Sequence, residues 1–164
     1  MTRKANFTQG SQGLLKPNEL KALANSLMDF NHPYFGKEIG YDSDRGEEGN
    51  YLYNIGRDKH SAQENCDKVA EAAHAYLPQG SQVVQLHTGQ VDRHGYPVGN
   101  HFINVVPTTE GPHVVDFSHR QFQSSAELPV IQHISAYMQR PSMKRWTLDQ
   151  ESLSPELKAN LGEK

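Results

Sequence analysis

Apolar residues recur at helical spacing in two stretches. In "KPNELKALANSLMDF", Leu20, Leu23, Ala24, Leu27 and Phe30 fall on one face, and Pro17 suits a first helical position. From Ser61 to Leu77, Cys66, Val69, Ala70, Ala73 and Leu77 form a second stripe that stops at "PQGS". Between them, residues 31–58 are rich in glycine and turn formers and read as a long surface loop, with a short strand at Tyr51–Tyr53. Three strands follow: "QVVQLH" (82–87), "HFINVV" (101–106) and "HVVDF" (113–117). "TGQVDRHGYPVGN" joins the first two, and "PTTEGP" makes a hairpin turn between the last two. "PVIQHISAYMQ" (129–139) reads as strand, helix or both, and "SPEL" (154–157) as a short helix capped by Ser154. The pattern predicts an α+β fold with helices packed on a mainly antiparallel sheet. Residues 1–16 read as a flexible lead-in and residues 17–164 as a single domain, without internal repeats.

Composition narrows the function classes. The 164 residues carry a formal net charge of −3, against a binder that works by neutralising nucleic-acid phosphates. No run approaches the ~18 apolar residues of a membrane span. The start, "MTRKANFTQGSQGLL", is basic but lacks the apolar stretch of a secretory signal. The single cysteine, Cys66, can form no internal disulfide. A mean hydropathy of −0.74 points to a small core with long loops.

Cys66 is the first candidate for chemistry. On the apolar stripe it reads as a core residue. Its other reading depends on the helix cap. Ser61 with Glu64 would make a capping box. A cap at Asn65 would instead make Cys66 the first helical residue, near free N–H groups and the positive end of the helix dipole, which favours a reactive thiolate. A nucleophilic cysteine needs a base, and the base needs an orienting group. His101 opens one strand and Asp116 closes the next. A four-residue turn at Pro107–Glu110 sets Val106 against Gly111 and His101 directly opposite Asp116, with Cβ atoms about 5 Å apart. A register slip of one residue would separate them.

The ordered set Cys66, His101, Asp116 resembles the papain-like fold. "NCDKVA", "GNHFINVV" and "VVDFSHRQF" are similar to the nucleophile helix, base strand and acidic strand of papain-fold bacterial toxin domains and secreted effectors, protein-glutamine deamidases among them. The resemblance covers about residues 63–123. It implies a catalytic triad of Cys66, His101 and Asp116. Gln121, five residues after the aspartate and before Phe122, matches the glutamine that lines the oxyanion hole in some of these deamidases. The chain departs from papain proteases in one respect: Gln63 is only three residues before Cys66, too close to serve as their oxyanion glutamine. Gln121 and the Cys66 backbone N–H remain as the donor pair.

The resemblance implies a cysteine hydrolase, with a protein-glutamine deamidase favoured over a protease or transglutaminase. A non-catalytic binding domain of the same fold is the alternative from another class. It further implies a secreted toxin or effector acting on a protein in a target-cell cytosol, with an immunity protein as a further partner; a cytoplasmic protein is the alternative. No cofactor is expected. The nine histidines invite a metal reading, but there is no His-Glu-x-x-His motif, and His113 and His119 are expected to point from different places. "GSQG" at 10–13 lacks the lysine–serine pair of a phosphate loop. "HGYPVGNH" (94–101) reads as a mobile lid beside His101 or as a plain hairpin loop. Trp146 reads as a core or docking aromatic, or as a substrate platform.

Overall fold

A computed structural model describes residues 13–37 and 49–159. Its centre is a five-stranded antiparallel sheet. The strands are β1 (Gln82–Val91), β2 (Pro97–Thr108), β3 (Gly111–Asp116), β4 (Val130–His133) and β5 (Thr147–Leu148), in the order β4-β3-β2-β1-β5. The helices are α1 (Pro17–Leu27), α2 (Tyr51–Gly56), α3 (Lys59–His74), α4 (Ile134–Met138) and α5 (Pro155–Lys158).

Strand alternation divides the core. Val106 and Val115 point to one side, where Leu20, Leu23, Leu27, Leu52, Ile55, Val69 and Ala73 of α1, α2 and α3 cover the sheet. Ile103, Val105 and Val114 point to the other, where Ile134, Tyr137, Met143, Leu153 and Leu157 cover it. Alternate positions thus face different cores, as the period of two requires.

Several local readings are corrected. The strand expected at Tyr51–Tyr53 is the helix α2, whose N-cap is Asn50, its side chain accepting from Tyr53 N. Leu52, Ile55 and Gly56 are buried, a helical period rather than an alternating one. Gly56 suits this place because a Cβ there would lie 2.1 Å from Phe117 O. The rest of the 31–58 loop falls partly outside the described residues. Phe30 leaves the apolar face of α1, because the helix ends at Leu27, and is 66% exposed. Of the lead-in read over residues 1–16, the described part includes Leu15, which is buried and bridges to Thr108.

The β2–β3 hairpin forms with a shifted register. Thr108 pairs with Gly111 across a two-residue turn, so Val106 faces His113 rather than Gly111. The strands run through both prolines, which pair as Pro107 and Pro112. Next to the turn pair, antiparallel alternation leaves a position that asks for no ladder N–H, so proline fits there. The shift is two residues, and a shift of two keeps every side chain on its expected face.

Candidate active site

Three elements meet where β3 stops. β3 ends at Asp116, while β2 pairs with it only from Asn104 onward, so residues 97–103 of β2 run on beyond it. The chain leaving Asp116 folds into a short 3-10 turn, His119–Gln121. Helix α3 packs beside this turn.

Helix α3 supplies Cys66 through a break. Its N-cap is Asp58, whose carboxylate accepts from Ser61 N at 2.9 Å, so neither Ser61 nor a Ser61–Glu64 capping box starts it. That N–H also holds the Asp58 pKa below its ordinary value, against burial, with smaller help from Arg57. At Asn65 the backbone leaves helical geometry (φ −130°, ψ 18°). The Asn65 side-chain amide donates to Ser61 O, the carbonyl four residues back that an unbroken helix would give to the Asn65 N–H. Helical geometry resumes at Cys66. The cysteine is 5% exposed, and its thiol points to Asn100 O at 3.9 Å, in the overhanging part of β2.

His101 and Asp116 are joined by a hydrogen bond of 2.9 Å between Nε2 and Oδ2. Both side chains are fully buried. They lie on one face as diagonal neighbours, not directly opposite as the expected register had it, because the two-residue shift sets Asn104 against Val115. Diagonal pairs remain within reach of long side chains. Asp116 holds more partners than His101. At Oδ2 it also accepts from His119 Nδ1 (2.9 Å) and the Tyr137 hydroxyl (2.6 Å), and at Oδ1 from Ser118 N (2.9 Å) and Ser118 Oγ (3.3 Å). His119 is anchored in turn by Ser142 Oγ at 2.9 Å from its Nε2.

These contacts set the protonation states. Burial alone would raise the Asp116 pKa, but the charge of His101 and hydrogen bonds from His101 and His119 hold it far below the carboxylate range. Burial alone would lower that of His101. The charge and hydrogen bond of Asp116 outweigh it, with a smaller hydrogen bond and charge from the neighbouring Cys66, and raise it to about 9. Burial and the adjacent Asp116 charge push the Tyr137 hydroxyl well above its ordinary value, so it stays a donor.

Gln121 belongs to the same cluster in an unexpected way. It lines the cleft with Cys66, but its amide nitrogen lies 2.9 Å from His101 Nδ1 and 3.4 Å from Ser118 O. It therefore contacts His101 at the ring nitrogen that Asp116 leaves free. The cleft, of about 510 Å3, is walled by Lys59, Asp67, Asn100, Phe102, Arg145 and Trp146 besides these residues. Trp146 is half-buried, its ring centroid 5.9 Å from that of His101. Phe122 wedges edge-on between the rings of His101 (4.7 Å) and His119 (5.5 Å). The segment read as a lid or a hairpin is a hairpin whose tip is closed by Asp92 N donating to Tyr96 O.

Sequence reasoning missed His119 and Tyr137 as partners of Asp116. His119 had a readable signal, three residues after the aspartate; Tyr137 had none, since only packing of α4 brings it there. His101, Asp116 and His119 also form the one potential metal-binding group among the described residues. Their N···O separations of 2.9 Å are those of hydrogen bonds; ligands around a tetrahedral zinc at ~2.0 Å stand roughly 3.3 Å apart. Among the described residues no helix is long and apolar enough to cross a membrane. Comparison of the chain with protein-family models, curated proteins and solved structures gives no match.

Proposed function

We propose that this chain is a papain-like cysteine hydrolase that deamidates glutamine side chains of a protein substrate. The observation that carries the reading is the buried His101–Asp116 hydrogen bond beside Cys66, which itself lines an open cleft. A nucleophile, a base and an orienting carboxylate in contact are what acyl transfer requires. Burial of Cys66 also fits a structural thiol, but a core cysteine does not need an ion-paired histidine beside it on a cleft wall.

In this mechanism Asp116 holds the Nε2–H of His101, and Nδ1, which the Gln121 amide also faces at 2.9 Å, exchanges its proton with the Cys66 thiol; the raised His101 pKa of about 9 favours the thiolate. The thiolate attacks the side-chain carbonyl carbon of the substrate glutamine. The oxyanion is stabilised by the Cys66 backbone N–H and by Gln121. His101 then protonates the leaving nitrogen, and ammonia departs as the thioester forms. Water, deprotonated by His101, cleaves the thioester to give glutamate and free Cys66. A peptide amine as leaving group would make the same site a protease, and an amine in place of water would make it a transglutaminase. The resemblance around Gln121 favours deamidation. It also extends the proposal to the setting: a secreted toxin or effector acting in the cytosol of a target cell, countered by an immunity protein where that target is bacterial.

Intact-mass and ammonia analysis of candidate target proteins tests the reading. A gain of about one dalton per modified glutamine with ammonia release, absent with Cys66→Ser, is the expected result. New termini would convert the proposal to proteolysis. Equal product with Cys66→Ser would end the catalytic reading.

A further inference from the structure

The two ends of the Gln121 amide are in unlike surroundings. Nε2 faces His101 Nδ1 at 2.9 Å and Ser118 O at 3.4 Å. Oε1 has no hydrogen-bond partner among the described residues and is not buried, on a side chain that lines the Cys66 cleft. Because Asp116 takes the Nε2–H of His101, Nδ1 of the neutral ring is a bare lone pair, and an amide N–H is its proper partner. When the ring charges, Nδ1 gains a hydrogen. Two N–H groups then face each other at the same separation, and attraction becomes repulsion. A half-turn about the last side-chain torsion exchanges Nε2 and Oε1 nearly in place, and that torsion is a broad, soft one. Oε1 then accepts from Nδ1–H, the long 3.4 Å contact to Ser118 O is given up, and the NH2 group takes the partner-free position.

We infer that Gln121 is a positioning residue linked to the proton on His101: its amide turns over when the ring charges and presents an N–H donor to the Cys66 cleft only in that state. On the acyl-transfer reading, the ring keeps its proton until it gives it to the leaving nitrogen, so the donor faces the cleft while the oxyanion exists. That last step rests on the proposed function; the turn does not. The groups that face the ring are Asp116 from β3 and Cys66 from α3. His119 from the following turn and Tyr137 from α4 act through Asp116. Lys59, Asp67 and Arg145 share the cleft wall.

The test needs no substrate. In a glutamine-15N-labelled chain, the Gln121 side-chain NH2 resonances are identified by their loss in Gln121→Ala. They are followed with the His101 ring signals from about pH 6 to about pH 10. The Gln121 resonances are expected to titrate with the His101 midpoint and to follow it when Cys66→Ser moves it. Gln121→Glu, which can only accept, is expected to raise the His101 midpoint by about one unit. Gln121 signals that stay flat through the His101 transition, or an unmoved midpoint in Gln121→Glu, would overturn the inference. A chain that shows the coupled titration but releases no ammonia from any target would keep this inference and sink the deamidase reading.

Discussion

Replacing Asp116 with asparagine removes the charge while nearly preserving the shape. Asp116 is 1% exposed and serves three donors at one oxygen and two at the other. Asparagine has one acceptor oxygen and an NH2. Turned one way, its NH2 faces His101, His119 and Tyr137; turned the other, it faces both donors of Ser118. Some buried donors are orphaned in either case, at about 1–3 kcal/mol each. Breaking a buried charge pair by removing one partner costs about 3–5 kcal/mol, and the two descriptions overlap rather than add. We expect Asp116→Asn to lose about 3–5 kcal/mol of folding stability. Burial would then dominate at His101, and its pKa should fall from about 9 to below its ordinary value. Urea unfolding near pH 6 measures the first effect, and NMR titration of the ring the second. A variant within about 0.5 kcal/mol of the parent, with His101 still titrating above the usual range, would refute the argument that this carboxylate organises the site.

Cys66→Ser should abolish activity with the fold intact, since serine is a far weaker nucleophile here; circular dichroism with the mass assay checks both parts. Tyr137→Phe removes one donor to a charged acceptor and should cost about 1.5–3 kcal/mol in urea unfolding, less than Asp116→Asn, because four donors to the carboxylate remain. Stability should also depend on pH through the buried pair. The folded His101 value near 9 lies above the ordinary ~6.5, so its stabilisation is complete below about pH 6.5 and is lost as the pH rises through 9. Asp116 is depressed, so its share is present above about pH 4 and lost as the pH falls further. Urea midpoints across pH should therefore be highest between these limits; stability still climbing from pH 7 to pH 9 would contradict the pair.

The elements most legible in the sequence were those whose signal is local. Helix α1 followed from the spacing of Leu20, Leu23, Ala24 and Leu27, all buried. The three strands 82–87, 101–106 and 113–117 followed from apolar alternation, and each lies within β1, β2 or β3 or overruns it by one residue. Segment 129–139 was ambiguous because it is both strand and helix: β4 turns into α4 at Ile134. Ser154 caps α5 as its sequence context suggests, accepting from Leu157 N. Helix α2 was hidden because six residues carry less than two turns of periodicity, and its start depends on Asn50 docking onto Leu27 O and Asp29 O.

The candidate site divides along the same line. His101 and Asp116 could be paired from the chain because strand parity survives a register error of two, even though the register itself depends on how the turn and its prolines settle. Neither proposed cap starts the helix that carries Cys66: Asp58 caps it, and Cys66 follows an internal break at Asn65, whose side chain donates to Ser61 O. Gln121 was readable as a member of the site but not as a partner of His101 Nδ1, because that contact depends on how the chain turns after β3. His119, Tyr137 and Ser142 reach Asp116 or its partners from three separate segments. Periodicity reports which face a residue occupies within its own element. A buried carboxylate draws its donors from whichever elements pack around it, and that is decided only when the tertiary fold closes.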